Sequence, residues 1–331
     1  RAGRYAKSAT AAKSVPVGSL VETVFGREVG MSQAPERSWL LAVPDAQVVA
    51  GMAPAPGSGG ESKSHRKRDR AFFVEVAAVV AMSAAGLLCP QGVVLWYRAL
   101  LTGFVGIGGF VLIGAALVTL VCERQPERLQ GKRRKPPLLL REVRDTTLAA
   151  WMAACFLAWP LARLWAGEQT GLVWTLAESG GGLRTFLQTG AALLVLDAWL
   201  YLKHRLLHTR LLFPFHRGHH VFRDPTALAG FAVGPVESVL TFWPLSLLAI
   251  PQAVHYAPLY FSLVVGFIWL NFYLHCGVSL RFLESTLPRL LVNTSAFHNR
   301  HHANAEVNFG EAFTIWDHVC KTREQDRRRD G

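Results

Sequence analysis

DAWLYLKHRLLHTRLLFPFHRGHH, residues 197–220, places five histidines within 24 positions. His204 and His208 are four apart and continue an apolar run, so a helix is expected beneath them. Positions four apart on a helix lie on one face, with β-carbons about 5–6 Å from each other, close enough for two imidazoles to share an ion. A second motif follows, His216-Arg-Gly-His219-His220. The same H-x-x-H-H spacing returns downstream as His298-Asn-Arg-His301-His302, and His275 stands alone in Leu274-His275-Cys276-Gly277. The spacing predicts that each H-x-x-H-H motif sets three imidazoles on roughly one helix face.

Clustered imidazoles repel one another when protonated and cost desolvation energy when buried neutral without partners. A bound metal removes both problems. Eight or nine imidazoles exceed what one ion takes, since zinc is usually satisfied by four ligands, so two ions are implied. Imidazole suits zinc, copper, iron and nickel alike, and the ligand type leaves the metal open. His65, His255 and His318 stand singly and read as interfacial or hydrogen-bonding residues.

Outward from the motifs the chain is apolar. Of 331 residues 51% are hydrophobic and only 18% charged, and the mean hydropathy is +0.24. Phe72 to Leu88 carries one charge, Glu75, and Ala99 to Cys122 carries none. As a helix the second run would rise roughly 36 Å, enough to cross a hydrocarbon core of about 30 Å. Leu148 to Trp165 and Phe186 to Leu202 are two further spans. Val239 to Leu274, interrupted by Pro244, Pro251 and Pro258, reads as a shallow hairpin or two short spans with both ends on one side. The expected fold is an all-α, polytopic membrane helical bundle with a histidine-rich di-metal cap.

The formal net charge of +12 is concentrated outside these runs: before residue 71, at Arg124 and Arg128, at Lys132 to Lys135, and after Lys321. Basic clusters flanking apolar spans mark the cytoplasmic side. They place both ends of the first hairpin, and hence every histidine motif, on the cytoplasmic face. No nucleic-acid fold signature accompanies the charge, so no nucleic-acid partner is expected. The five cysteines form no CxxC pair or disulfide framework. Residues 1–70 mix Ala, Gly, Ser, Pro and basic residues and read as a disordered or targeting segment. Residues 71–147 form an N-terminal membrane hairpin and basic loop, 148–325 the catalytic domain, and 326–331 a basic tail.

At these residues the chain resembles the fatty acid hydroxylase superfamily, which includes sterol desaturases, sterol C4-methyl oxidases and fatty acid hydroxylases. The resemblance covers about residues 190–325. It rests on Asp197-x-x-x-Tyr201-x-x-His204-Arg205-x-x-His208, on the two H-x-x-H-H motifs, and on the ending Asn308-Phe309-Gly310-Glu311 with Phe313-Thr314-Ile315-Trp316-Asp317. The first 140 residues lie outside it, and their spans look like an addition. The resemblance implies two iron ions, O2, electrons from a cytochrome b5 or ferredoxin-type donor, and a membrane lipid substrate. It implies an integral membrane enzyme, of the endoplasmic reticulum if eukaryotic or the inner membrane if bacterial. The implied ligands are His204, His208, His216, His219, His220, His298, His301 and His302, with His275 as a ninth.

Asp197, one or two turns before His204, is a candidate to orient a ligand imidazole; a pairing with Lys203 or Arg205 is the alternative. Glu237 opens the last apolar region, where a carboxylate needs a partner, and is a second candidate. Asn293, Asn308 and Asp317 fit either supporting or structural roles. Two departures stand out: Asn271 occupies a position where some relatives carry another histidine, and Asp317-His318 replaces the usual Asp-Arg. Asp224-Pro225-Thr226 and Asn293 to Phe297 resemble sterol-type members more than methyl oxidases. An intramembrane zinc hydrolase would want H-E-x-x-H, and no motif here contains a glutamate. A non-catalytic metal-binding membrane scaffold is the alternative from another class.

Overall fold

Long uncharged runs set the architecture, because a backbone in lipid must satisfy its own hydrogen bonds. The computed structural model describes residues 60–125, 128–131 and 136–327, with side chains for those between 70 and 325. The chain up to residue 59, the basic Lys132 to Lys135 and the end of the tail lie outside the described residues, as does the side chain of His65.

Helix α1 (Gly60–Ala84) begins inside the stretch expected to lack order and continues as a 3-10 turn over Ala85–Leu88. Gly92, at φ +97°, turns the chain into α2, Val93–Cys122, which contains one π turn at Phe104–Gly108. A backbone of that kind is open to glycine at little steric cost. Helix α3 spans Leu139–Trp165, so the boundary expected at 147/148 falls inside it. One side of its first turns is packed: the Thr226 hydroxyl donates to the buried Glu142 at 2.5 Å, and Thr146 donates to the Leu228 carbonyl at 2.7 Å. Helix α4 (Gly182–Leu207) ends at the first histidine motif.

Next come α5 (Phe213–His216), α6 (Pro235–Phe242) with a 3-10 continuation over Trp243–Ala249, and α7 (Ala257–His275). The predicted proline-broken hairpin is therefore one short apolar limb and one full-length helix. Strands β1 (Leu172–Val173) and β2 (His255–Tyr256) pair in parallel at its turn. Helices α8 (Arg281–Thr286), α9 (Ser295–Ala303) and α10 (Ile315–Val319) complete the cap.

Among the described residues, five helices are long and apolar enough to cross a membrane: Arg70–Leu88 of α1 with its 3-10 extension, α2, α3, α4 and α7. Their outward faces carry large apolar side chains, such as Val105 at 71% and Phe186 at 72% exposure, which only lipid covers favourably. Two cores join α2 to α3 and to α7. Trp96, Ala99 and Leu100 of α2 fill the alanine-lined face of α3 at Ala154, Ala158 and Ala162. Farther along, Val111 and Ala115 of α2 pack with Phe272 of α7 and with Ala227 and Leu228. Gly114 makes that approach possible, since a β-carbon there would lie 2.8 Å from Phe272 Cε2. The chain is thus an all-α membrane bundle.

Candidate metal centre

The ends of α4 and α7 meet the connecting segments at one end of the bundle, and nine histidines gather there. They form two groups whose potential ligand atoms lie within 4.8 Å of one another: His204, His208, His216, His220 and His301, and separately His219, His275, His298 and His302. His204 lies in the last turn of α4 and His208 caps its C-terminus. The second motif does not lie on one helix face, contrary to the sequence expectation. Helix α5 stops at His216, and His219 starts a separate 3-10 turn, His219–Val221. The third motif does lie on one helix, α9. Each H-x-x-H-H motif gives its outer pair to one group and its middle histidine to the other: His216 and His220 against His219, and His298 and His302 against His301.

The rings are aimed from behind. His204 Nδ1 donates to the Phe309 carbonyl at 2.8 Å, His301 Nδ1 to Val307 at 2.7 Å, and His275 Nδ1 to Asn271 at 2.9 Å. His216 Nδ1 faces Glu237 Oε2 at 2.7 Å. A carbonyl or carboxylate can only accept, so each of these rings carries its proton on Nδ1 and turns a lone pair on Nε2 inward. The Nε2 atoms then crowd one another. His220 Nε2 lies 3.0 Å from that of His216, 3.1 Å from His208 and 3.2 Å from His301, and His298 Nε2 lies 3.0 Å from His275 Nε2. His204 Nε2 and both ring nitrogens of His302 are buried with no hydrogen-bond partner. One proton on His220 Nε2 can serve only one of its three neighbours, so lone pairs still face one another there, and a cation between them turns repulsion into ligation. The donor set fits a pair of histidine-ligated metal ions.

Around the rings lies an ionic layer. Lys203, 3% exposed, reaches Glu311 Oε1 at 2.6 Å, the Thr241 hydroxyl at 3.1 Å and Glu237 Oε1 at 3.9 Å. Glu237 therefore touches the His216 imidazole, and its cationic partner is a lysine. Asp197 does neither thing expected of it: its Oδ1 accepts the Phe313 amide at 3.1 Å, tying α4 to the C-terminal segment. Asp317 works one step behind His204. Its carboxylate accepts the Phe309 and Gly310 amides at 2.9 and 2.7 Å and the Thr322 hydroxyl at 2.6 Å, holding the loop whose carbonyl aims His204. Asn293 donates to the Gly310 carbonyl at 2.7 Å and Asn308 to that of Phe297 at 3.1 Å, so both brace the same loop. Asn271 supplies only its backbone carbonyl to His275. His255 sits in β2, and His318 bonds the Thr314 carbonyl and Arg323, so neither joins the groups. Lys203 and Glu311 were missed as site residues. Their signal was a lone charge abutting a histidine motif and a glutamate inside the quoted ending.

Burial pushes His208, His216, His219, His220, His298, His301 and His302 below the ordinary imidazole range, His301 to about 4. Burial pushes Glu237 and Glu311 up, opposed by Lys203. An imidazole depressed from about 6.5 in the unfolded chain stabilises the fold above pH 6.5, and that contribution is lost as pH falls towards 4. The two raised carboxylates act in the opposite sense and are outnumbered. The thermal midpoint of metal-free protein is expected to fall steadily from pH 7 to pH 5, by on the order of a few kcal/mol of stability. A midpoint that is flat or rises over that interval contradicts burial of neutral rings.

Residues 189–322 match the family model described as fatty acid hydroxylase. The chain is 31% identical to the lathosterol oxidase of Rattus norvegicus over 143 residues, 42% of this chain and 46% of the relative. It is 30% identical to a Delta(7)-sterol 5(6)-desaturase of Gibberella zeae over 196 residues, 56% of this chain and 53% of the relative. It is 31% identical to an ornithine lipid hydroxylase of Rhizobium tropici over 143 residues, 41% of each. The chain spans about half the length of these curated relatives, or less. No solved structure matches.

Proposed function

We propose that this chain, whose residues 189–322 belong to the fatty acid hydroxylase family, is a di-iron oxygenase that hydroxylates or desaturates a membrane lipid, sterol or fatty acyl. It uses O2 and electrons from a donor such as cytochrome b5 or a ferredoxin. The observation that carries this reading is the pair of histidine groups with lone pairs turned inward. His204, His208, His216, His220 and His301 would hold one iron, and His219, His275, His298 and His302 the other. Iron bound there supplies the redox couple that lets O2 attack an unactivated C–H bond. Hydroxylation consumes O2, two electrons and two protons and yields an alcohol and water; desaturation consumes the same and yields an alkene and two waters.

The chain's own residues do the positioning. Glu237 fixes the His216 ring, and the carbonyls of Phe309, Val307 and Asn271 fix three others. Phe231, Phe242, Phe267 and Leu274 wall a cavity that also touches His204, His216 and His275. Such a wall keeps the reaction dry and aims one carbon of an apolar substrate. Relatives named for sterols and for an ornithine lipid support a lipid substrate. Arg205, Arg210, Arg217 and Arg223 cluster at the metal end of the bundle, which supports a cytoplasmic orientation of that end.

Purified protein is expected to carry about two irons per chain, and expression beside a competent electron donor to change the sterol or fatty acyl profile of the host. Bound metal with an unchanged profile would favour the non-catalytic scaffold.

A further inference from the structure

Glu75 is the acidic residue of the span Arg70–Leu88, outside the family-matched region, and an ionisable group at such a depth calls for a partner. Its partner is the start of α6. That helix has no cap of its own: the N-cap is Gly234, which lacks a side chain, and the first position is Pro235, which lacks an N–H. The first free amide, Val236, donates to Glu75 Oε2 at 2.7 Å. The other carboxylate oxygen lies against Gly234, where a β-carbon would sit 2.7 Å from Glu75 Oε1 and 3.2 Å from the Phe215 carbonyl. One residue beyond Val236 is Glu237, and one beyond Phe215 is His216, the pair joined at 2.7 Å. A carboxylate at a helix N-terminus satisfies an orphan donor and complements the helix dipole.

We infer that Glu75 is a positioning residue of the metal centre: the first membrane span caps α6 from outside and thereby sets Glu237 against His216. The N-terminal hairpin is then a working part of the site rather than an addition to it. This rests on the metal-centre reading above.

The test is a double-mutant cycle on the purified full chain loaded with iron, reading metal affinity by chelator competition. Glu75→Ala is expected to weaken metal retention by about tenfold, the range for groups that support a ligand histidine. Glu75→Gln, which keeps an acceptor for the Val236 amide, is expected to stay within about threefold of wild type. In a Glu237→Ala background, Glu75→Ala is expected to add nothing, because its route to the metal is already cut. Full additivity in the cycle, or wild-type retention in Glu75→Ala, overturns the inference. Where Glu75→Ala fails to fold, Glu75→Asp, one methylene short of Val236, takes its place. Equal retention by the Asp, Gln and wild-type chains also overturns it. A wild-type chain that binds no metal defeats the metal-centre reading itself, a result distinct from either.

Discussion

In a His220→Ala chain, the five-histidine group is expected to lose its metal, and lipid oxidation is expected to fall by on the order of a thousandfold, about 4 kcal/mol of transition-state stabilisation. His220 has the most central ring nitrogen of the group: its Nε2 lies within 3.2 Å of those of His208, His216 and His301. Removing it opens a gap in the middle of the donor set rather than at its edge. Groups that merely support a ligand cost about 10–100-fold in metal affinity when removed, so a central ligand costs more. Iron per chain and product formation are expected to fall together. His255→Ala, in β2 and away from both groups, is the matched control. Retention of full iron and turnover by His220→Ala would remove His220 from the ligands.

Replacing Lys203 by methionine is expected to destabilise the bundle by about 3–5 kcal/mol, the usual consequence of stripping one partner from a buried ion pair. Methionine keeps the length and apolar stem of lysine, so packing changes little. What changes is charge: Glu237 and Glu311 are left facing each other across the space where Nζ lay 3.9 and 2.6 Å from them. The thermal midpoint of the metal-loaded protein should fall by on the order of 10 °C. Adding Glu311→Gln should recover part of the loss, because it removes the closer of the two stranded charges. A midpoint unmoved by Lys203→Met would mean that the carboxylates are compensated elsewhere.

The spans and the two histidine groups were legible for the same reason: each is written as a local pattern. An uncharged run long enough to cross lipid has few alternatives to a helix, and α2 fills that expectation. The four-residue spacing of His204 and His208 needed only a helix to bring their rings together, 5.1 Å between centroids. The second motif misled because its spacing matches the third while its α-helix ends at His216 and a 3-10 turn carries His219 and His220. Periodicity cannot report where a helix stops when no proline marks it. Asp197 misled because proximity in sequence suggested an imidazole, whereas its partner is an amide more than a hundred positions away. Lys203, Glu311 and Glu75 belong to the same class. Each takes its meaning from a contact between distant segments, and α3 likewise starts early because its charged turns meet Thr226 and Leu228.

The loop held by Asp317 has a consequence for biogenesis. All five membrane helices precede residue 276, yet the acceptors that orient His204 and His301 are Phe309 and Val307, and the clamp that secures them comes later still. A nascent chain can thus finish inserting while its coordination sphere is still incomplete. Only when synthesis reaches Asp317 are both acceptors and the clamp on the Phe309 loop present.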